Sequence, residues 1–301
     1  GVTSIGNDAF LGCSNLTNVN IPNSVLSIGY EAFKGCSSLI SIDIPNAIIS
    51  IESQTFQYCS NLRNIDIPNS VTSIGWGSFY DCSSLTHIDI PSSVSSIGAY
   101  AFFGCSNLTS VNIPNSVSSI NPHLFNGCSS LTNITIPDSV SSIDSNAFDG
   151  CSSLSSINVP SSVTYIGSSA FKDCCNIISI DIPDSVSYIG YWAFWGCSSL
   201  SNINIPKSLT YINERTFEGC SSLVNVSVPD SVRSIDSRAF YDCTMLSISF
   251  YGNAPIVDSA FSQFSSFPNN TVLYYIPGKS GWTSPTWQGY KTATWNGYAA
   301  S

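Results

Sequence analysis

Twelve cysteines and two histidines are the residues of this chain best suited to nucleophilic or metal chemistry. Eleven of the cysteines stand at Cys13, Cys36, Cys59, Cys82, Cys105, Cys128, Cys151, Cys174, Cys197, Cys220 and Cys243, each 23 residues after the last. Metal knuckles need ligands a few residues apart, and no CxxC-type spacing occurs. If the repeats stack, neighbouring cysteines point the same way with Cβ atoms nearly a strand spacing apart, slightly too far for easy bridging. The reading that follows is a row of buried free thiols packed as small apolar groups, with disulfides or a metal as the alternatives. Cys175 is the one cysteine off the period and the one to test for exposure or cross-linking. His87 and His123 lie about 1.5 repeats apart in different columns, so no Ser-His-Asp or Cys-His arrangement can be assembled from them. The expectation is a protein without catalytic residues, resident metal or cofactor.

The elements that position these residues are set by the repeat. Phenylalanine precedes each periodic cysteine by three residues, from Phe10 to Phe240, and isoleucine by eight, from Ile5 to Ile235. Leucine follows by three, from Leu16 to Leu246, with Ile177 the single substitute, and ten prolines from Pro22 to Pro229 close the repeats. In Leu16-Thr17-Asn18-Val19-Asn20-Ile21-Pro22 the apolar residues alternate with polar ones, the period of a half-buried strand, and proline ends it because it has no N–H for the ladder. Gly29 and its counterparts Gly6, Glu52, Gly75, Gly98, Asn121, Asp144, Gly167, Gly190, Asn213 and Asp236 are mostly residues that tolerate positive φ, which predicts a left-handed corner there, strained or shifted at Glu52. The Ala-Phe pair is expected on a short helical or 3₁₀ turn. A 23-residue unit cannot bury its own apolar face, so the core must come from stacking about eleven such units.

Stacking puts the outward residues of each strand in two columns. One runs Asn18, Ser41, Asn64, His87, Ser110, Asn133, Ser156, Ser179, Asn202 and Asn225; the other includes Asn20, Asp43, Asp66, Asp89 and Asn112. They are read either as a solvated face or as a hydrogen-bonding surface for a protein or glycan. Asp43, Asp66 and Asp89 would stand about 5 Å apart, a spacing that invites calcium, although no loop supplies the further oxygens. Tyr165, Tyr188 and Tyr211 share a column in three consecutive repeats where others carry Ser, with Tyr191, Trp192 and Trp195 close by; Trp76, Tyr80, Tyr100 and Phe103 form a second group. Outward aromatics either cover one another along the stack or offer a binding surface. Asn-x-Ser/Thr sequons stand at Asn15, Asn107, Asn133, Asn225 and Asn269.

The formal net charge of −10 with only nine Lys and Arg gives no electrostatic footing for nucleic acid. No stretch reaches the roughly 20 apolar residues of a transmembrane helix. The run Ser-Val-x-Ser-Ile-Gly-x-x-Ala-Phe-x-Gly-Cys-Ser-Ser-Leu-x-x-Ile-x-Ile-Pro resembles the BspA-like leucine-rich repeat over residues 1 to about 246. The resemblance implies a right-handed solenoid with a parallel sheet on its concave face. It also implies an extracellular or cell-surface protein associated with adhesion to host proteins or other cells, and it brings no catalytic residues with it.

The repeat array is assigned to 1–246 and a degenerate last repeat with an aromatic cap to 247–301, where Leu246, Ile248 and Phe250 come one residue early. Ala260-Phe261 and Val272–Pro277 read as a stretched twelfth turn, with Trp282, Trp287 and Trp295 in the tail. No matching cap stands at residue 1, which suggests truncation, docking to a preceding segment or end-to-end stacking. Three functions follow as expectations: a surface module binding proteins, carbohydrate binding through the outward aromatics, or a structural subunit that self-associates through its ends.

Overall fold

The computed structural model describes residues 1–244, 247–257 and 271–295; Leu246, Ala260, Phe261 and Asn269 lie outside them. The chain is a parallel β-solenoid of about 12 coils. Each coil contributes to two parallel ladders. The main sheet carries the Asn/Asp-rich strands, such as Ser41–Asp43 paired with Asn64–Asp66, and Asn133–Thr135 paired with Ser156–Asn158. A flank sheet carries the two-residue Ser-Ile or Tyr-Ile strands, such as Ser50–Ile51 on Ser73–Ile74 and Tyr165–Ile166 on Tyr188–Ile189. Partners are 23 residues apart until Asn225–Val228 meets Ser247–Phe250 with Asn225 opposite Ser247. That pairing confirms the one-residue advance of Ile248 and Phe250.

The core is the set of columns predicted from the period. Phe33 to Phe240 are fully buried, with Cys, Leu, Ile and Val columns around them. Successive rings lie nearly parallel, for example Phe79–Phe102 at 5.5 Å and 1° and Phe102–Phe125 at 5.6 Å and 4°. The Pro-x-Ser-Val segment is a tight turn joining the two sheets, closed by bonds such as Val71 N to Pro68 O at 3.0 Å.

Between flank sheet and cysteine the chain makes turns rather than the expected helical turn. Its N–H groups alternate between a local acceptor three residues back (Cys36 N to Phe33 O, 3.1 Å) and a carbonyl of the next coil (Phe33 N to Thr55 O, 2.9 Å). A helix would direct every N–H into its own coil, whereas here half of them tie neighbouring coils together.

The left-handed corner is also displaced. Among the described residues no member of the Gly29 column has positive φ, and Glu52 is not strained there. Positive φ falls two residues later, at Glu31, Gln54, Tyr100, His123, Asn146, Ser169, Trp192, Arg215 and Arg238, and again just before cysteine at Gly35, Tyr58, Asp81, Gly104 and Asp173. Glycine recurs in the earlier column because of space. A Cβ on Gly190 would come within 2.4 Å of Ser168 N, and one on Gly75 within 2.5 Å of Ser53 N. Backbone of adjoining coils passes too closely there for a side chain.

At the far end the main sheet continues from Ser247–Phe250 to Val272–Tyr275 and on to Tyr290–Thr294, which then pairs antiparallel with Thr286–Trp287. Trp282 and Trp287 pack against the core, and Trp282 lies 4.8 Å from Phe250 and 5.3 Å from Tyr275.

Removing one ring from the middle of the Phe stack leaves a void that coils on either side cannot close without losing register. Phe125→Ala should therefore cost about 3–5 kcal/mol in a urea titration. A loss below about 1 kcal/mol would show that the stack does not hold the coils together.

Candidate functional site

The aromatics predicted to face outward lie on the flank sheet and the turn beside it. Tyr165 and Tyr188 are opposite one another and their rings stack at 5.1 Å and 5°. Tyr211 occupies the same column one coil on and is 56% exposed. Tyr191 is near enough to Tyr188 to raise its phenol above the usual value, after burial and alongside Tyr165. Tyr191 and Trp192 are both exposed, with ring centres 6.0 Å apart, and Trp192 sits at φ 56° in the left-handed corner. Trp195 is half-buried, with the Lys172 ammonium 5.3 Å from its ring centre. The structure thus brings Tyr165, Tyr188, Tyr191 and Trp192 together over two neighbouring coils, with Tyr211 next in the Tyr188 column, while the Trp195 ring meets Lys172.

The second group is more self-covering. Tyr80 stacks on Phe103 at 4.4 Å, Tyr100 lies 5.8 Å from Phe103, and Trp76 lies 5.3 Å from Tyr100. The structure adds two members that sequence reasoning missed: Tyr58, edge-on to Tyr80 at 5.6 Å, and His123, stacked on Tyr100 at 4.3 Å. Their signal in the sequence is position, since Tyr58 and His123 fall in the outward columns of the turn that Asp81 and Tyr100 also occupy. Burial lowers the His123 imidazole below its ordinary pKa. Trp76 and Tyr58 keep open faces, while Tyr80, Tyr100 and Phe103 are half-buried by one another.

Asp43, Asp66 and Asp89 are on the main sheet, a different face from the aromatics, and all three are exposed. Asp43 and Asp66 are register partners, while Asp89 is 3.2 Å from His87 Nε2. No group of three or more metal-ligating side chains occurs among the described residues. Asn133 and Asn225 stand on the same face and Asn15 and Asn107 on the edge leading to it, all exposed.

Ten of the periodic cysteines are buried and unpaired, whereas Cys13 in the first coil is exposed. Each buried thiol donates to the carbonyl of the phenylalanine 26 residues earlier, as Cys128 Sγ does to Phe102 O at 3.2 Å. Burial raises these thiols above the ordinary thiol value, Cys36 to about 11 and Cys243 to about 12, and the others further. Cys175 is half-buried, and its thiol faces Asp173 O at 3.4 Å and Gly196 O at 3.5 Å.

The hydroxyls hold a second surprise. Ser70, Ser93, Ser139, Ser162 and Ser208 each donate to a valine or isoleucine carbonyl 22 residues earlier at 2.6 Å. The Ser of the Ser-Val motif therefore stitches coils together rather than merely wetting the surface.

The repeat and the solenoid have counterparts among known proteins. The BspA type leucine-rich repeat region matches residues 1–95, 73–201 and 193–276. The chain belongs to the BspA-type leucine-rich repeat family. It is similar to a leucine-rich repeat protein from Bacteroides ovatus, at 28% identity and a TM-score of 0.72 over 97% of this chain and 87% of that one. It is also similar to a leucine rich cell surface protein from Faecalibacterium prausnitzii, at 29% identity and 0.59 over 88% and 85%. A leucine-rich repeat protein from Eubacterium ventriosum aligns at 26% identity and 0.57 over 85% and 71%. No curated protein matches the chain. No helix among the described residues is long and apolar enough to cross a membrane.

The raised thiols make a pH-dependent prediction for this BspA-type chain. A group whose folded pKa lies above its unfolded value stabilises the fold below the unfolded value and ceases to do so as pH rises through the folded one. Stability under reducing conditions should be flat to about pH 8.5 and fall above it. Cys128→Ala should reduce that slope by about 1.4 kcal/mol per pH unit. An unchanged slope in denaturant titrations from pH 8 to 10.5 would mean the thiols already meet solvent. In native protein at pH 8, a thiol reagent should label Cys13 first, Cys175 slowly and the ten buried cysteines only on unfolding.

Proposed function

We propose that this solenoid is a non-catalytic adhesion or protein-interaction module, secreted or displayed at the cell surface, that docks macromolecules of a host or a neighbouring cell. The observation that carries the reading is the aromatic patch of Tyr165, Tyr188, Tyr191, Trp192 and Tyr211, all more than a third exposed. In other coils the Tyr188 column holds Ser96, Ser119 and Ser142, so the fold does not require tyrosine there. Tyr and Trp bring large contact area at small entropic cost and dominate the energetics of protein interfaces. The surface location draws support from the Faecalibacterium relative, whose name places it at the cell surface. The non-catalytic reading rests on the two histidines standing on different faces and on thiols held protonated in the core.

The test exploits the repeat itself. A screen of the chain against extracellular-matrix proteins identifies a ligand, and Tyr188→Ser with Trp192→Ser then gives this coil residues that the same columns carry elsewhere. Binding should weaken at least about tenfold, the scale of one interface anchor, with the thermal midpoint nearly unchanged. Undiminished binding would remove this patch from the reading.

A second reading, carbohydrate binding, is favoured by the exposed rings of Tyr191, Trp192 and Tyr211, since aromatic faces can stack on sugar rings. It expects a hit on a neutral glycan array that Trp192→Ala and Trp195→Ala abolish in folded protein. Normal glycan binding by those variants would discard it.

A further inference from the structure

Where the repeat gives way to the closing strands, a cleft opens that belongs to neither aromatic group. It is lined by Lys207, Ser227, Asp230, Tyr251, Ile276 and Lys279, together with the adjoining Pro229. Its origin lies in the lost proline. The main-sheet register places Pro229, Tyr251 and Ile276 one position beyond the partners Val228, Phe250 and Tyr275. Tyr251 thus stands in the column that ten prolines fill elsewhere. Its N–H completes the ladder to Val228 O at 3.0 Å, a bond no proline makes. Its ring is held edge-on against Trp295, with centres 4.9 Å apart at 84°, and remains 37% exposed. Gly252, next in the chain, lets this coil close on Asp230, since a Cβ would come within 2.9 Å of Asp230 Cα.

The charges are unusual for this molecule. The chain has a net charge of −10 and only nine Lys and Arg in 301 residues, yet two lysines line this one cleft. They bracket Tyr251 in coil order: Lys207 belongs to the coil before Asp230, and Lys279 follows Ile276 in the coil beyond Tyr251. Three strand spacings separate the outer coils, about 14 Å. Lys207 is 81% exposed and shares its charge with Asp184 at 3.5 Å. Lys279 makes no ion pair among the described residues. Between them lie an aromatic face and two oxygen-bearing side chains, Ser227 and Asp230, that can exchange hydrogen bonds with hydroxyls.

We propose that this cleft binds an anionic oligosaccharide, with a sugar ring on Tyr251 and acidic groups on neighbouring sugars paired with Lys207 and Lys279. Ring stacking alone would take any sugar. The two lysines, carried by coils about three strand spacings apart, select a chain that carries acidic groups at intervals. The Asp230 carboxylate accepts from hydroxyls and disfavours a ligand bearing charge on every atom group, such as a nucleic-acid backbone. Carboxylated and sulfated sugars share this chemistry.

Isothermal titration of the full 301-residue chain with a galacturonate oligomer, a heparin-derived oligomer and a neutral cellulose-derived oligomer of matched length tests the proposal. At low salt the acidic oligomers should bind and the neutral one should not, with binding weakening as salt screens the exposed pairs. A preference for the galacturonate or for the heparin oligomer identifies the acidic group, and either supports the site. The double variant K207Q/K279Q should lose about tenfold in affinity, while Lys34→Gln, in a remote coil where Lys34 pairs with Glu31, should not change it. Lysine replacement leaves the buried packing untouched, so an unchanged thermal midpoint accompanies the expected loss. Equal binding of the neutral oligomer, retention of full affinity by K207Q/K279Q, or no binding of either acidic oligomer by folded protein would each overturn the assignment.

Discussion

Everything in this solenoid depends on one aromatic stack keeping its register. From Phe33 to Phe240 each ring lies on the ring of the next coil, for instance 5.6 Å between Phe125 and Phe148 and 5.3 Å between Phe171 and Phe194. A coil touches only its neighbours, so stability is gathered one interface at a time. Because strand side chains alternate with period two, a one-residue slip would turn each coil's isoleucines to solvent and its asparagines to the core. The Phe column forbids that slip, and the Cys, Leu and Ile columns fall into line with it. Where the spacing shortens to 22, between Asn225 and Ser247, the array has reached Phe240, the last stacked ring of the column among the described residues.

The same register explains how so uncharged a chain is held together and kept wet. Only 9% of residues are charged. Backbone bonds run along the axis in both senses: Thr72 N donates back to Ile49 O at 2.9 Å, whereas Phe56 N donates forward to Ser78 O at 2.8 Å. Serine and threonine hydroxyls add further rungs, as with Thr109 Oγ1 on Thr86 O at 3.0 Å. A hydroxyl suits this task because it bonds across one strand spacing without the desolvation cost of a charge.

Much of the fold is legible in the sequence because a strict period turns one coil's pattern into the whole core. The inward columns, the strand after leucine, its end at proline and the unpaired buried thiols all follow from spacing and residue type. What misleads is glycine, which serves two purposes. In the Gly29 column it answers to close backbone approach, and in the Gly35 column to positive φ at 73°. Composition alone does not separate them, although the second column betrays itself where Asp81, Asp173 and Asp242 replace glycine. The other left-handed column is hidden altogether, since Glu31, Gln54, Tyr100, Trp192 and Arg215 show no common chemistry. Of the candidate patch, the alignment of Tyr165 with Tyr188 is readable from the period. For Tyr58 and His123 the period gives the outward column, but their ring contacts with Tyr80 and Tyr100 need the turn's path.

That hidden column is where the coils differ most from one another, and the difference is organised. Side chains three residues apart across the turn meet in pairs: Glu31 with Lys34 at 2.7 Å, Gln54 with Gln57 at 2.6 Å, Asn146 with Asp149 at 3.0 Å, and Arg238 over Tyr241 at 5.3 Å. Each pair is chemically matched within its coil, yet the chemistry changes from coil to coil, from charge to amide to aromatic and back. The main sheet behaves in the opposite way, repeating a few small polar residues along its length. Eleven copies of one backbone thus act as an internal comparison: positions the fold fixes stay constant, and positions it leaves free diverge. The constant sheet face has the composition of a scaffold's solvated surface. The turn flank combines a repeated backbone and matched local pairs with a chemistry that changes from coil to coil, so it is where one coil is told from the next.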